Sequence, residues 1–391
     1  MTPFDNVLAV KVAKQNYIPT PEILSLLEEF RKMVNDCIWI GLAENTTSLF
    51  ALTKKSYHQL ARYDVPTCYR LTAMSKATGI LRNYRKTLRK HPDAKKPYAS
   101  KIMLTDCYAF KIIEEKLRLP TKSRCYEYIP LNSYVLRAIS GYAVRSVTLT
   151  ASTVSMAFSK ETAVTEPTGL IGIDRNLDNV TTADTNGKIK RYDLSKATRI
   201  KAIYRVVTSH FRRNDVRIRQ RIFSKYGRKQ CNRVNVILHN VSKHIVADVE
   251  RQGFGIAMEN LKGIRKLYRR GNGQGSEYRS RLNSWSFYEI QRQINYKAMW
   301  EGIPVVYVNP QKTSSTCAIC GSSITECTER KVYCHKCNRT VDRDENAALN
   351  IVKRGVRFAP DGLARNEAVK GNPKEAILRA EASKLTQLTK S

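Results

Sequence analysis

The sequence has no run of 18 or more apolar residues, and its first residues do not follow the basic, apolar and small order of a secretory leader. A membrane-spanning helix needs about 20 consecutive apolar residues, and a signal peptide is recognised by that order. We therefore expect a soluble cytoplasmic protein without a membrane partner. A Gly-rich phosphate loop ending in Gly-Lys-Ser or Gly-Lys-Thr is also missing, so nothing in the sequence supports the use of ATP.

Acidic residues are scarce: 34 Asp and Glu stand against 68 Lys and Arg, which gives a formal net charge of +34 over 391 residues. Self-repulsion on that scale destabilises a compact chain unless a polyanion compensates for it. The basic residues are spread from end to end, whereas a membrane surface attracts a concentrated polybasic segment or an amphipathic anchor. A heteroduplex of about 20 base pairs carries roughly 40 phosphates. The charge therefore predicts a long nucleic-acid partner, or more than one.

Cysteine is present in a pattern typical of a metal site. Two Cys-x-x-Cys pairs are separated by thirteen residues and consist of Cys317, Cys320, Cys334 and Cys337. Tetrahedral zinc takes four thiolates, and each pair presents two of them from one tight turn. Gly321 and Asn338 follow the pairs and tolerate the left-handed backbone of such turns. Two disulfides or four unrelated thiols are the alternatives, and we expect one structural Zn²⁺ in a zinc ribbon over residues 311–340.

Three acids occupy comparable places in the sequence. Asp174 and Glu259 each end an apolar, strand-like segment, and Asp344 precedes a helical pattern. Side chains at strand carboxyl ends in an open sheet face a common crevice, where three carboxylates cannot all stay ionised without a cation. Oxygen ligands favour Mg²⁺ or Mn²⁺, and two such ions about 3.5–4 Å apart would activate a water and stabilise the leaving oxygen of a phosphodiester. Singly, each acid has an ordinary alternative: a turn, a solvated strand end, or a helix N-cap.

Periodicity divides the chain into elements. Thr20-Pro21-Glu22 predicts a helix start, and a second helical pattern follows Pro66. Alternating apolar residues predict a small barrel or sheet between about 100 and 165, and a helix is expected over 196–252 with a break near Gly227. Further elements are the strands 170–174, 180–183, 254–258 and 305–308 and a helix over 281–300.

Two basic segments are candidates for nucleic-acid contact. One is the face at the end of the second helical pattern, which no acid interrupts, although a solvated helix face is the ordinary alternative; it consists of Arg82, Arg85, Lys86 and Arg89. The other is the glycine-rich stretch 263–275, whose lack of periodicity predicts a mobile loop. Its basic residues are Arg265, Lys266, Arg269 and Arg270.

These motifs resemble the TnpB family, transposon-encoded RNA-guided DNA endonucleases related to compact type V CRISPR nucleases. The matching segments are G-I-D-x-x-x-x-N at 172–179, E-N-L-K-G at 259–263, T-S-x-x-C-x-x-C-G at 313–321, and the second cysteine pair followed by D-R-D-x-N-A-A-x-N-I. The match extends from about residue 170 to 355, while the first 165 residues agree only in the order of elements. The family's catalytic second Asp of D-R-D corresponds to Asp344 and leaves Asp342 as a secondary candidate. The family usually has Gly two residues after the first acid, where this sequence has Asn176. Because asparagine tolerates a left-handed backbone, we expect the turn to be preserved.

The resemblance implies a multidomain α/β and α+β fold. A small β-barrel (wedge) domain at 1–19 and 93–168 would be split by a helical recognition domain at 20–92. An RNase H-like (RuvC) nuclease domain at 169–310 and 341–356 would hold the inserted zinc ribbon. A C-terminal tail at 357–391 would follow, for which we expect disorder.

The resemblance also implies a function. Asp174, Glu259 and Asp344 would be catalytic residues and ligands of two Mg²⁺ ions. The partners would be a guide RNA derived from the transposon end and double-stranded target DNA, which would be cut beside a short flanking motif in a prokaryotic cytoplasm, at the nucleoid. One alternative is an RNA-guided repressor, disfavoured because all three acids are present. The other is a DNA transposase, disfavoured by the ribbon between the last strand and the third acid.

Overall fold

A computed structural model describes residues 7–211, 215–268, 271–328 and 330–362. The chain divides into two compact units, Leu8–Lys160 and the part from Glu161 onward. Within the described ranges, no helix combines the length and the apolar character needed to cross a bilayer. Arg269, Arg270 and residues 363–391 of the predicted tail lie outside the described residues, whereas the first residues of that tail, 357–362, are helical.

The helices of the first unit follow the predicted pattern with two additions. They are α1 (Pro21–Ala43), α2 (Leu49–Ser56), α3 (Thr67–Leu88) and the later α4 (Ser133–Ile139), with a 3₁₀ turn at Gln59–Arg62. The predicted start of α1 is confirmed: Thr20 is the N-cap, and its hydroxyl accepts a hydrogen bond from the Ile23 N–H at 3.3 Å. Helices α2 and α4 were missed because eight and seven residues are too few to show a clear helical period.

Two arginines of the basic face on α3 donate hydrogen bonds to backbone carbonyls of the same unit. Arg82 Nε donates to Thr47 O at 3.1 Å, and Arg85 Nη2 donates to Asn45 O at 2.7 Å. Asn45 has a positive φ of 45°, and these bonds hold the bend that leaves α1. Lys86 and Arg89 are exposed, so nucleic-acid contact by this face stays a prediction.

The strands of the first unit form two antiparallel sheets. They are β1 (Val7–Asn16), β2 (Met103–Asp106), β3 (Lys111–Ile113), β4 (Lys116–Lys122), β5 (Cys125–Pro130), β6 (Ala143–Thr150) and β7 (Thr153–Thr162). One sheet has the order β1-β7-β6-β2, and the other has the order β3-β4-β5. The sequence predicted a single small barrel or sheet, because alternation identifies strands without saying which of them pair.

The second unit is built on a five-stranded mixed sheet. Its strands are β8 (Leu170–Arg175), β9 (Asn179–Asp184), β10 (Ile189–Asp193), β11 (Gly255–Glu259) and β12 (Val305–Val308), in the order β10-β9-β8-β11-β12. Strands β8, β9 and β10 pair antiparallel, whereas β11 is parallel to both β8 and β12. All the strands predicted in this part of the sequence are confirmed.

Helices lie on both faces of this sheet. They are α5 (Ser195–Ser209), α6 (Ser224–Gln252), α7 (Ser276–Asn283), α8 (Phe287–Trp300) and α9 (Arg343–Gly362). Ile173 and Met258 pack with residues of α6 and α8 in one core cluster, while Ala257 packs with Ile351 of α9 in another. Gly172 also faces α9, since a Cβ there would lie 2.5 Å from Ala348 O. The glycine therefore lets the helix cross the strand closely.

Two helix boundaries differ from the prediction. The expected break near Gly227 is wrong: Gly227 lies inside α6, and the break follows Ser209 instead. No atom lies within 4 Å of a Cβ built at Gly227, and the cost of a helical glycine, about 1 kcal/mol, is outweighed by the buried stripe of α6. The single helix expected over 281–300 is interrupted between α7 and α8, where Trp285 Nε1 donates to Asn176 O at 2.9 Å.

The cysteine-rich insertion lies between β12 and α9. It contains a three-stranded antiparallel sheet of β13 (Thr325–Thr328), β14 (Lys331–Cys334) and β15 (Arg339–Asp342). Strand β15 continues directly into α9, so the insertion leads straight to the helix that carries the third acid.

Candidate metal centres

Asp174 and Glu259 are neighbours on adjacent parallel strands. Met258 of β11 pairs with Ile173 of β8, so the next residue on each strand is one of the two acids. Side chains alternate along a strand, which puts both acids on the α9 face together with Gly172. Each is buried, with 8% of its surface exposed.

The third acid joins this face from the first turn of α9. Asp342 Oδ1 accepts hydrogen bonds from the N–H groups of Asp344, at 2.9 Å, and Glu345, at 3.2 Å. Asp342 is therefore the N-cap of α9, and Asp344 is not the capping residue. The Asp344 side chain is buried and accepts a hydrogen bond from Asn179 Nδ2 of β9 at 3.3 Å.

The three carboxylates interact electrostatically. Burial raises the pKa of Asp174 to about 7, with a further contribution in the same direction from the charge of Glu259 and a smaller one from Asp344. Buried carboxylates with too little compensating positive charge are the environment that a divalent cation stabilises. The oxygen donor set fits Mg²⁺ or Mn²⁺.

Removing one charge from this cluster should stabilise the metal-free protein. Since the pKa of Asp174 is raised in the folded state, the folded chain binds more protons than the unfolded chain, and its stability falls as the pH rises from about 4 to about 7. Asp174→Asn should therefore melt at a higher temperature than the wild type at pH 8 in a chelator, with a smaller difference at pH 4. Melting curves at the two pH values test this, and equal shifts at both would contradict it.

Each carboxylate also has a polar partner whose contact was not predicted from the sequence. Asn176 Nδ2 donates to Asp174 Oδ2 at 2.7 Å, and the Thr313 hydroxyl donates to Glu259 Oε1. The Asp344 partner is Arg330, whose Nη1 lies 3.0 Å from Oδ2. Thr313 lies in the T-S-x-x-C motif and Asn176 in the G-I-D-x-x-x-x-N motif, and these motifs were the available signals, whereas the contacts themselves span 2 to 54 residues of sequence.

The expected role of Asn176 in the turn needs correction. Its backbone does not have a positive φ, so tolerance for left-handed backbone is not what suits asparagine to this position. Its N–H donates to Asn179 O at 2.9 Å and closes the turn between β8 and β9. Its side chain contacts Asp174, which a glycine could not do.

Arg175 supports the end of the sheet beneath the acids. It is 2% exposed, and its guanidinium donates to Glu259 O, to Phe287 O at 3.2 Å and to the Gln291 side chain. Burial lowers its pKa. These bonds join β8, β11 and α8 at the position where two of the acids are held.

The four paired cysteines are close enough to hold one ion. The Sγ atoms of Cys317 and Cys337 are 3.8 Å apart, those of Cys320 and Cys334 are 3.5 Å apart, and all four lie within 4.8 Å of one another. Zn–S bonds of about 2.3 Å in a tetrahedron put sulfurs roughly 3.8 Å apart, so the donor set fits zinc. The distances exclude disulfides. Gly321 and Asn338 have φ values of 76° and 50°, which confirms the left-handed turns.

The carboxylates are more widely spaced than the thiols. Across the described part of the chain, no other group of three or more Cys, His, Asp or Glu side chains has all its ligand atoms within 4.8 Å. The pair of ions expected at the three acids stays a prediction.

The first cysteine turn is bound to α9 by two buried asparagines one helical turn apart. Asn346 accepts from the Ala318 N–H at 2.8 Å and donates to Thr316 O at 2.8 Å. Asn350 donates to Thr313 O at 2.8 Å and to Thr316 O at 2.7 Å. The insertion therefore contacts the same helix that carries Asp344.

The second predicted basic segment has local order. Ile264–Tyr268 form a 3₁₀ helix, and the side chains of Asn272 and Gln274 donate to the carbonyl of Leu267 at 3.2 and 3.0 Å. The sequence did not predict this 3₁₀ helix, and the mobility expected of the segment stays a prediction. The Arg265 guanidinium lies 5.6 Å from the Phe287 ring centre.

Comparisons with known proteins agree on one family. Residues 287–351 match a family model described as the Cas12f1-like TNB domain. The chain is 31% identical over 199 residues to a TnpB-like protein of Methanocaldococcus jannaschii, a match that covers 46% of this chain and 70% of the relative. It is 35% identical over 116 residues to the CRISPR-associated endodeoxyribonuclease Cas12f1 of Sulfoacidibacillus thermotolerans, covering 29% of this chain and only 25% of that protein.

The fold is also similar to a solved structure. A Cas12f1-sgRNA-target DNA complex determined by cryo-EM contains a chain that superposes with a TM-score of 0.59 at 16% identity, over 85% of this chain and 81% of that one. The fold is thus that of a multidomain α/β protein with a cysteine-rich insertion. The chain belongs to the TnpB-like proteins, relatives of the type V nucleases.

Proposed function

We propose that this protein is an RNA-guided DNA endonuclease that hydrolyses phosphodiester bonds with divalent metal ions. The observation that carries the proposal is the convergence of three buried acids, Asp174, Glu259 and Asp344, on the α9 face of the sheet. The relatives of the chain support it, since they include TnpB-like proteins and a CRISPR-associated endodeoxyribonuclease. The net charge of +34 supports polyanionic partners.

The three acids would hold the ions and act through them. Bound Mg²⁺ or Mn²⁺ supplies an activated water and neutralises charge that develops on the phosphate. The chain's own contribution is to exclude solvent from the carboxylates and to orient them. The Asn176 side chain donates a hydrogen bond to one oxygen of Asp174, and the Thr313 hydroxyl donates a hydrogen bond to one oxygen of Glu259. The guanidinium of Arg330, which is about half exposed, balances the negative charge of Asp344.

The proposal extends to the domains and partners. An RNase H-like, RuvC-type nuclease domain at 169–310 and 341–356 would carry the acids, and the ribbon at 311–340 would hold one structural zinc. The wedge and recognition regions would bind a guide RNA derived from a transposon end and the flanking motif of duplex target DNA. Exposed Lys86, Arg89, Arg265 and Lys266 are candidates for phosphate contact.

A cleavage assay on the protein purified with its bound RNA tests the function. Sequencing that RNA identifies the guide, and duplex DNA matching it should be cut when Mg²⁺ is added. Guided binding without any cut would favour a repressor. Strand-transfer products would favour a transposase, and absence of bound RNA would contradict the guided mechanism.

Thr313→Val should weaken cleavage through Glu259 without unfolding the protein. The substitution keeps the shape of the side chain but removes the hydroxyl that donates to Glu259 Oε1. A buried hydrogen bond to a charged group contributes about 1.5–3 kcal/mol, so cleavage at limiting Mg²⁺ should fall roughly 10- to 100-fold. The Mg²⁺ concentration for half-maximal cleavage should rise, and Mn²⁺ binding followed by electron paramagnetic resonance should weaken.

Two matched variants make this test specific. Thr313→Ser keeps the donor and should restore both readouts. Thr316→Val lies in the same loop, but its hydroxyl donates to Lys312 O at 2.8 Å, and it should behave as the wild type. Equal losses in the two valine variants would mean that the loop, rather than the bond to Glu259, is responsible.

A further inference from the structure

The outer face of the β3-β4-β5 sheet combines exposed aromatic rings with cations. Leu117, Leu119 and Ile129 are at most 2% exposed and form the inner face of the sheet. Strand alternation puts a second set of side chains on the opposite face: Lys111, Lys116, Arg118, Tyr126 and Tyr128, together with Ile113, Pro120 and Pro130. The two tyrosines are 44% and 51% exposed, which is unusual for two large rings on one strand.

The strand register arranges these side chains in rows. Lys111 pairs with Arg118, and Arg118 pairs with Tyr128, so that one row crosses all three strands. The Arg118 guanidinium carbon also lies 4.5 Å from the Tyr126 ring centre, a cation–π contact. Its Nε is buried without a hydrogen-bond partner among the described residues. The cation is therefore held against the ring by stacking.

The acids of this sheet lie off the outer face. Glu127 alternates to the inner side with Leu119 as its cross-strand partner, and it accepts a hydrogen bond from the Thr20 hydroxyl at 3.0 Å. Glu114 and Glu115 occupy the turn between β3 and β4, both with positive φ. The outer face therefore carries three cations and two rings with no carboxylate between them.

The spacing of the two tyrosine rings favours unpaired nucleic acid over a duplex as the partner of this face. Residues two apart on a strand are separated by about 6.6 Å, roughly twice the 3.4 Å rise of stacked bases in a duplex. Two rings about 6.6 Å apart can each stack on one base only if the two bases are not stacked on each other. Aromatic side chains beside cations are the usual platform for unpaired nucleotides. A duplex offers its phosphates but not the faces of its bases.

We propose that this face binds an unpaired segment of RNA, with bases stacked on Tyr126 and Tyr128 and phosphates contacted by Lys111, Lys116 and Arg118. The proposal deepens the proposed function by assigning a binding surface to the guide. RNA is favoured over DNA because a guided target strand is paired with its guide, whereas the remainder of a guide contains the unpaired loops that aromatic platforms recognise.

The test compares stacking-deficient and stacking-competent variants with no metal present. Tyr126→Ala and Tyr128→Ala, singly and together, are measured against Tyr126→Phe and Tyr128→Phe for binding to fluorescent oligouridine, oligothymidine and blunt RNA duplex. Each alanine should weaken oligouridine binding roughly 5- to 150-fold, each phenylalanine should leave it unchanged, and duplex binding should change little. Tyr134→Ala is the control, since Tyr134 is 59% exposed on α4 in the same unit.

Three results would overturn the inference. They are unchanged binding by the double alanine variant, equal weakening by alanine and phenylalanine, or tighter binding of oligothymidine than of oligouridine. Thermal melting of every variant separates loss of the platform from loss of folding. Failure of the nuclease proposal is distinguishable, because oligouridine binding is measured without Mg²⁺ or Mn²⁺ and does not depend on whether the protein cuts DNA.

Discussion

Replacing Asp174, Glu259 or Asp344 with alanine should abolish DNA cleavage and leave guided DNA binding largely intact. The three side chains are buried acids whose charges interact, and carboxylates repel a phosphate backbone rather than bind it. Loss of one ion ligand removes several kcal/mol of transition-state stabilisation, so cleavage should fall by roughly 10³-fold or more. Gel-shift and cleavage assays on the same guided complex measure the two properties separately.

Asp342 provides the internal control for this prediction. Its carboxylate caps α9 and pairs with Arg191 at 2.9 Å, which is a structural role. Asp342→Asn should preserve the cap and most of the activity, whereas Asp342→Ala should lower the melting temperature with a milder effect on cleavage. If Asp342 were essential and Asp344 dispensable, the assignment of the third acid would be wrong.

Replacing any one of the four paired cysteines with serine should lower both the stability of the protein and its cleavage activity. Zinc binding in small thiolate sites is coupled to local folding, and each cysteine supplies a quarter of the ligand set. Asn346 and Asn350 bind the first cysteine turn to α9. Loss of order in the ribbon should therefore also displace α9, the helix that carries Asp344. Elemental analysis should find one zinc per chain in the wild type.

Cys327 is the matched control for the zinc prediction. It lies in the same insertion but is exposed, and its Sγ has a contact to Thr325 O at 3.8 Å. Cys327→Ser should keep the zinc content, the melting temperature and the cleavage rate of the wild type. A well-folded wild-type sample without zinc, or equal losses on replacing Cys327 and Cys317, would contradict the assignment.

The sequence by itself determined the features whose cause is local. The spacing of the cysteines and the residues after each pair were sufficient to predict two left-handed turns, at Gly321 and Asn338. The cap at Thr20 was predictable for the same reason, since an N-cap depends on a few consecutive residues. The positions of Asp174 and Glu259 at strand ends followed from apolar runs that each finish in an acid.

Only the tertiary structure decided what depends on packing between distant segments. Helix α9 crosses β8 at Gly172 and β11 at Ala257, and that crossing brings Asp344 to the other two acids. The hydrogen bond from Thr313 to Glu259 joins residues 54 apart in the sequence, and the pairing of seven strands into two sheets is equally non-local. Periodicity identifies which face of an element is apolar, but the neighbour of that face is selected by the packing of the whole unit.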